Sequence, residues 1–149
     1  MDKRTRAREL AVQTLYQLDI QGSGVLGQLD NFLVENEPDD TIRKMASVWC
    51  KAAWENLKAC DELIVGSAIK WRLSRLSLVD KSILRLAVYQ LKFCEDIPPK
   101  VVINEAIELA KKFSTDQSPS FINGVLDAVM QKLKVNPLQA NKNQKAQLR

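Results

Sequence analysis

Three observations predict an all-α protein. Apolar residues recur at three- and four-residue spacing along most of the chain, no stretch of useful length alternates with period two, and no hairpin dipeptide separates strand-like runs. The 149 residues fit one domain, and a chain of this size buries about 68–70% of its unfolded surface without disulfides or metal.

The first predicted helix is Arg4 to Asp19, with Ala7, Leu10, Ala11, Thr14, Leu15 and Leu18 on one side and Arg6, Glu9, Gln13, Tyr16 and Gln17 on the other. Gly22 to Gly27 breaks it, and Leu26, Leu29, Phe32 and Leu33 predict a short second helix. Asp39 or Asp40 can cap a longer one. Its stripe is Ile42, Met45, Trp49, Ala52, Ala53 and Cys60, and it ends near Asp61; a continuation after a bend is expected from Glu62 to Lys70, then a connection from Ser74 to Ser77. Ser77 followed by Asp80 resembles a capping box for Leu78 to Cys94, although Glu or Gln is the usual partner. That helix is apolar on nearly every side, leaving a narrow polar strip with Lys81, Arg85 and Lys92, so it should be central and the most buried.

Pro98 and Pro99 suit the first turn of the next helix, where a missing N–H costs nothing. Val102, Ala106, Leu109, Ala110 and Phe113 share one arc, opposite Lys100, Asn104, Glu105, Glu108, Lys111 and Lys112. Ser114 to Pro119 supplies turn chemistry, with Ser118 as N-cap and Pro119 opening the last helix, whose stripe is Ile122, Val125, Leu126, Val129 and Leu133. Phe121 stands roughly 100° away from that stripe. After Asn136 and Pro137 periodicity is lost, so the chain divides into a body, 1–137, and a mobile basic tail, 138–149.

Composition excludes several classes of function. No apolar run approaches the ~20 residues that span a bilayer, and the start lacks the apolar core of a signal peptide, so no membrane association and a cytoplasmic location are expected. Cys50, Cys60 and Cys94 are widely spaced and histidine is absent, which suggests neither a disulfide framework nor a zinc site. Without histidine the usual general base and nucleophile partner are missing, and no glycine-rich phosphate loop is present. Neither an enzyme nor a cofactor is expected. The net charge of +4 resides in Lys134, Lys142, Lys145 and Arg149, leaving residues 1–133 formally neutral but polarised: Lys3, Arg4, Arg6 and Arg8 crowd the start, while Asp30, Glu35, Glu37, Asp39 and Asp40 form an acidic block.

Two constellations fit RNA. On the first helix Arg4, Arg6 and Arg8 can bind phosphates, Gln13 can read a base edge and Tyr16 can stack; equally, they read as a solvated helix start with Tyr16 at the rim of the core. At the loop before the last helix, Lys111 and Lys112 can contact phosphates, Phe121 can stack, and the helix start at Gln117 and Ser118 offers N–H groups; equally, Glu108 pairs with Lys112 and Phe121 fills a groove between helices. Glu105 and Glu108 read as surface ion-pair partners.

The stretch VDKSILRLAVYQLKFCEDIPPKVVINEAIELAKKFSTDQSPSFINGVLD, together with RTRARELAVQTLYQLD, resembles the NusB family of bacterial transcription antitermination factors. The resemblance covers Arg4 to about Leu133. It implies a compact helical bundle of two small subdomains, pairing with the ribosomal protein NusE, and binding of single-stranded boxA RNA within elongation complexes that contain other Nus factors, notably on ribosomal RNA operons. It implies that Arg4, Arg6, Arg8, Tyr16, Gln117, Ser118 and Phe121 lie on the RNA surface. Gln117 departs from relatives that carry an acid there. The polar strip of the central helix, Asp80, Lys81 and Arg85, is the expected partner-binding surface. Two rival readings remain: a targeting domain related to RNA cytosine methyltransferases, and a protein-only scaffold or homodimer anchored by Tyr16 and Phe121.

Overall fold

The computed structural model describes residues 1–67 and 76–147, with side chains as far as Lys134. Among these residues every regular element is helical. Helix α1 spans Lys3–Gln21. It starts one residue earlier than its periodicity predicts because Asp2 caps it, accepting from the backbone N–H of Arg4 at 2.7 Å and of Thr5 at 3.4 Å. A carboxylate there also offsets the unfavourable placing of arginines beside the positive end of the helix dipole. Gly22 ends α1 at φ +82°, a conformation that suits glycine, and its N–H donates to the Leu18 carbonyl at 2.8 Å.

A 3₁₀ turn, Ser23–Gln28, leads into the short α2, Leu29–Asn36. Asp39 then caps α3, Asp40–Glu55, through the N–H of Ile42 at 3.1 Å. The predicted bend near Asp61 comes earlier, at Asn56. There the side-chain amide and the backbone N–H of Asn56 both donate to the Ala52 carbonyl, at 2.8 and 3.1 Å, and the chain restarts as α4, Leu57–Ser67. Asn competes in this way with the helical ladder more readily than most residues. The break rotates the stripe: α3 buries Ile42, Ala46, Cys50 and Ala53, with Met45, Trp49 and Ala52 as half-buried flanks. Cys60 is buried from α4 instead. The expected end of that helix beyond Ser67 and the first half of the Ser74–Ser77 connection lie outside the described residues.

Helix α5, Leu78–Phe93, starts as expected, with the Ser77 hydroxyl accepting from the N–H of Asp80 at 3.0 Å. Helix α6 is Pro99–Phe113 and α7 is Ser118–Gln147. The last helix therefore runs past Asn136 and Pro137, where the sequence predicts a stop. Pro137 removes one backbone donor, but the Gln-, Lys- and Ala-rich segment that follows has good helix propensity, so the turn continues on an existing nucleus. The division of the chain at Pro137 does not appear as an end of regular structure.

Two apolar clusters hold these helices. The smaller joins α1, α2 and α3 through Ala7, Leu10, Leu33, Ile42 and Ala46. The larger surrounds α5, whose residues Ser82 to Gln90 are all buried, and draws Leu15 and Leu18 from α1, Ile64 from α4, Val102 and Leu109 from α6, and Ile122, Leu126 and Val129 from α7. A central helix covered on every side matches the sequence reading. No helix of the described residues is long and apolar enough to cross a membrane.

Part of the polar strip of α5 turns inward. Arg85 is buried, its Nε and Nη2 donating to the two oxygens of Asp61 on α4 at 2.9 Å each, with Nη1 3.1 Å from Asp19 on α1. Lys81 sits 3.2 Å from the same Asp19. Burial pulls the Arg85 pKa down, but the hydrogen bonds and charges of Asp61 and then Asp19 outweigh it, and the net shift is upward. Lys81 and Arg85 are thus internal ties between helices, and their assignment to a partner surface is corrected: a fork of charge-assisted bonds needs acceptors close by, and α1 and α4 supply them.

Truncating Arg85 to Ala strands the poorly exposed carboxylate of Asp61 and leaves Asp19 with Lys81 alone, so a loss of about 3–5 kcal/mol is expected in urea unfolding; a loss below about 1 kcal/mol would show that the ties are dispensable. Burial also raises the thiols of Cys50 and Cys60 from 9.0 to about 11. Iodoacetamide at pH 8 should leave both unlabelled in the native chain and label both after denaturation. Because the folded values are the higher ones, the stability these thiols contribute is complete below the unfolded value and declines as pH rises toward 11.

Candidate nucleic-acid interface

The fold sets the N-terminal half of α1 beside α6, from Glu105 to Lys112. Three polar contacts mark the junction: Thr5 Oγ1 donates to Glu105 at 2.8 Å, Lys112 Nζ donates to Glu9 at 2.7 Å, and Arg8 lies 3.8 Å from Glu105. Glu9, expected on the solvent side, is 3% exposed and grips both Lys112 and, at 3.1 Å, Arg6. A carboxylate so buried is retained where cations satisfy it. Glu108 pairs with Lys111 at 3.1 Å, and Lys112 takes Glu9 in place of the expected Glu108.

The three arginines have different fates. Arg4 is exposed. Arg6 is half-buried, held by Glu9, by Glu37 at 3.1 Å and by the Asn36 carbonyl at 3.1 Å. Arg8 is 2% exposed, donates from Nε to Gln90 Oε1 at 3.2 Å and stacks over Trp49 with 5.2 Å to the ring centroid. Burial lowers its pKa and Glu105 opposes that shift. Arg8 belongs to the packing of α1 on α5 and α3, so its expected place on the ligand surface is corrected. On a helix with a wide apolar face, a guanidinium that finds both an amide acceptor and an aromatic face is carried inward.

Tyr16 and Gln13 are half-buried and line an open cleft between α1 and α2, walled by Phe32, Asn36, Val79 and Phe113. Gln117, Ser118 and Phe121 line a second, smaller cleft with Leu76, Ser77, Asp80 and Thr115. The two are neighbours: Val79 and Asp80, consecutive on α5, each wall one of them, as do Phe113 and Thr115 at the end of α6. The two constellations read separately in the sequence therefore meet across the start of α5. Lys112, with its ammonium 5.4 Å from the Phe113 ring, sits beside the first cleft, and Lys111 is exposed on the next position of α6.

The turn between the clefts is tightly bonded. Ser118 is the first residue of α7 rather than its expected N-cap; it is buried, and its hydroxyl caps no backbone N–H but donates to Asp80 Oδ2 at 3.0 Å and also contacts the Ser114 and Thr115 hydroxyls at 2.9 and 2.8 Å. The Ser118 N–H donates to the Thr115 carbonyl at 3.1 Å, the Phe121 N–H to the Gln117 carbonyl at 3.3 Å, and Pro119 has none. The start of α7 thus has little donor capacity left for a phosphate. Its contribution is a flat aromatic edge from half-buried Phe121, which packs partly on the main core, beside the exposed amide of Gln117.

Sequence reasoning missed Phe113, Val79 and Glu9 as parts of this surface. Phe113 falls on the buried arc of α6, and only its place in the last turn hinted that it would emerge at the edge. Nothing in local spacing marks Glu9, whose burial depends on Lys112, 103 residues away. Asp80 faces the second cleft and is bonded to the turn by Ser114 and Ser118.

Comparison with known proteins places this geometry. The model of the NusB family matches residues 5–131. The transcription antitermination protein NusB of Syntrophus aciditrophicus is 43% identical over 133 residues, covering 89% of this chain and 83% of that one. A structure of T. maritima NusB superposes with a TM-score of 0.79 at 36% identity, covering 88% of this chain and 92% of that one. A chain from the crystal structure of antitermination factors NusB and NusE in complex with dsRNA gives 0.80 at 26% identity, covering 89% and 98%.

The arginines separate by stability. Arg8→Ala removes a buried hydrogen bond, an aromatic contact and much packing, and should lower stability by about 2–4 kcal/mol, whereas Arg4→Ala at an exposed position should stay within about 0.5 kcal/mol. Paired thermal melts check this; equal, small effects would return Arg8 to the surface.

Proposed function

This chain belongs to the NusB family, and on that premise we propose that it is a non-catalytic, cytoplasmic transcription antitermination factor that captures the boxA element of nascent RNA together with NusE. The relative from Syntrophus aciditrophicus is a transcription antitermination protein, and a structural neighbour is seen with NusE and RNA. The observation that carries the reading is the adjacency of two clefts that both pair half-buried aromatic rings with side-chain amides: Tyr16 with Gln13 in the first, which Phe32 and Phe113 also wall, and Phe121 with Gln117 in the second. Splayed bases of a single strand stack on such rings while amides meet their edges. Lys112 beside Phe113 and Arg6 beside Asn36 reach the edge of the first cleft, and with Lys111 and Arg4 they position the phosphates.

Several of these cations already have carboxylate partners, Lys112 and Arg6 on Glu9 and Lys111 on Glu108. A phosphate gains less from a cation that is partly neutralised, so the chain alone binds weakly. NusE supplies further contacts, and capture of one RNA by both proteins turns the second contact into an intramolecular one. Through NusE and other Nus factors the complex joins the elongating polymerase. The rival readings, a protein-only scaffold or homodimer and a targeting module of a methyltransferase, are outcomes of the same measurements.

The test is a titration of the chain with NusE against boxA, a scrambled strand and a duplex of the same sequence, at several salt concentrations. Tyr16→Ala and Phe121→Ala should each lose about 1–3 kcal/mol of boxA affinity. Arg4→Ala should reduce the salt slope by about 0.7, and Gln117→Asp should weaken binding by placing a carboxylate beside phosphates. Equal affinity for the scrambled strand, or aromatic variants that retain RNA and lose self-association in size-exclusion chromatography, would overturn the proposal.

A further inference from the structure

We infer that Asp80 is a positioning residue for the RNA surface: its carboxylate fastens the α6–α7 turn and thereby sets where Gln117 and Phe121 stand. The inference rests on the reading of the two clefts as an RNA site. An aspartate at this position of α5 would ordinarily serve its own helix, by reaching back to the cap or by facing the positive end of the dipole. Here both oxygens turn outward to another element. Oδ1 accepts from the Ser114 hydroxyl at 2.6 Å and Oδ2 from the Ser118 hydroxyl at 3.0 Å. Bonds of hydroxyls to an ionised carboxylate are short and about twice as strong as neutral ones. The hydroxyls of Ser114 and Thr115 also meet that of Ser118, at 2.9 and 2.8 Å. One carboxylate and three hydroxyls thus close a cluster that joins the end of α6 at Ser114 and the turn residue Thr115 to the first residue of α7.

The cluster has leverage over the site. Gln117 immediately precedes Ser118, and Phe121 is one turn later, its N–H on the Gln117 carbonyl. Any shift of Ser118 carries both side chains with it. The same carboxylate lines the cleft that Phe121 and Gln117 line. A negative charge there opposes a polyanion, so a purely electrostatic role predicts that its removal strengthens RNA binding. A positioning role predicts the opposite sign.

Hydrogen exchange and RNA titration on the full chain decide the matter. In Asp80→Ala, amides from Thr115 to Ile122 should exchange faster while those of Ser82 to Gln90 keep their protection, and boxA affinity with NusE should fall about tenfold, the worth of one or two hydrogen bonds. Asp80→Asn, which still offers one acceptor and can bond the rotatable hydroxyls, should recover part of the loss. The effect should shrink in a Phe121→Ala background, where only Gln117 is left to misplace, and persist in full in Tyr16→Ala, because coupling runs only through the turn. Ser118→Ala, with Asp80 intact, should loosen the same amides. Unchanged exchange in Asp80→Ala, a gain in affinity, or full additivity with Phe121→Ala would overturn the inference. If the unaltered chain shows no preference for boxA, the functional reading fails instead, and the exchange data still decide whether Asp80 fastens the turn.

Discussion

Enclosing α5 on every side is the constraint from which the rest of the architecture follows. A buried helix cannot leave its polar side chains to water, so each must find a protein partner or be absent. Among the polar groups of α5 in the interior or at its margin, four reach other elements of the fold. Gln90 takes Arg8 of α1, Arg85 takes Asp61 of α4 and Asp19 of α1, Lys81 shares Asp19, and Asp80 takes the turn before α7. The apolar faces of these helices are interchangeable in character. The polar ties are not, and they specify which helix lies where.

The surface with the two clefts is assembled from short-range consequences of the same packing. Because α1 must lie on α5, its flank carries Tyr16 and Gln13 to the start of α5, where Val79 completes their cleft. Because the turn before α7 is bonded to Asp80, Phe121 comes up on the other side of the same helix start. The buried carboxylate of Glu9 then fixes one cation from α1 and one from α6 at the edge. The charge on display is consequently smaller than the number of basic residues suggests, in keeping with a body that is formally neutral up to Leu133.

The helices were largely legible because apolar spacing reports burial directly: α1, α5 and α6 lie within two residues of their predicted bounds. Asp2 as a cap and the break at Asn56 were less visible, since each depends on one side chain choosing a backbone partner. Aromatic members of the site were readable as outliers from a stripe, as Phe121 shows. Charged members were not. A helical wheel puts Arg8, Glu9 and Arg85 on polar flanks, yet all three are buried, because their partners sit on helices far away in the sequence. Spacing records which residues share a face; it contains nothing about what that face will meet.

The ties of α1 also have a temporal side. Arg8 waits for Gln90, Thr5 for Glu105 and Glu9 for Lys112, separations of 82, 100 and 103 residues. During synthesis at about 5–20 residues per second, the first helix stands without these partners for roughly 4–20 seconds. Only α2 and α3 emerge soon enough to shield part of it, through Leu10, Leu33, Ile42 and Ala46. The small cluster therefore serves as the provisional shelter of a nascent chain, and the ribosome's own pace sets how long that shelter has to last.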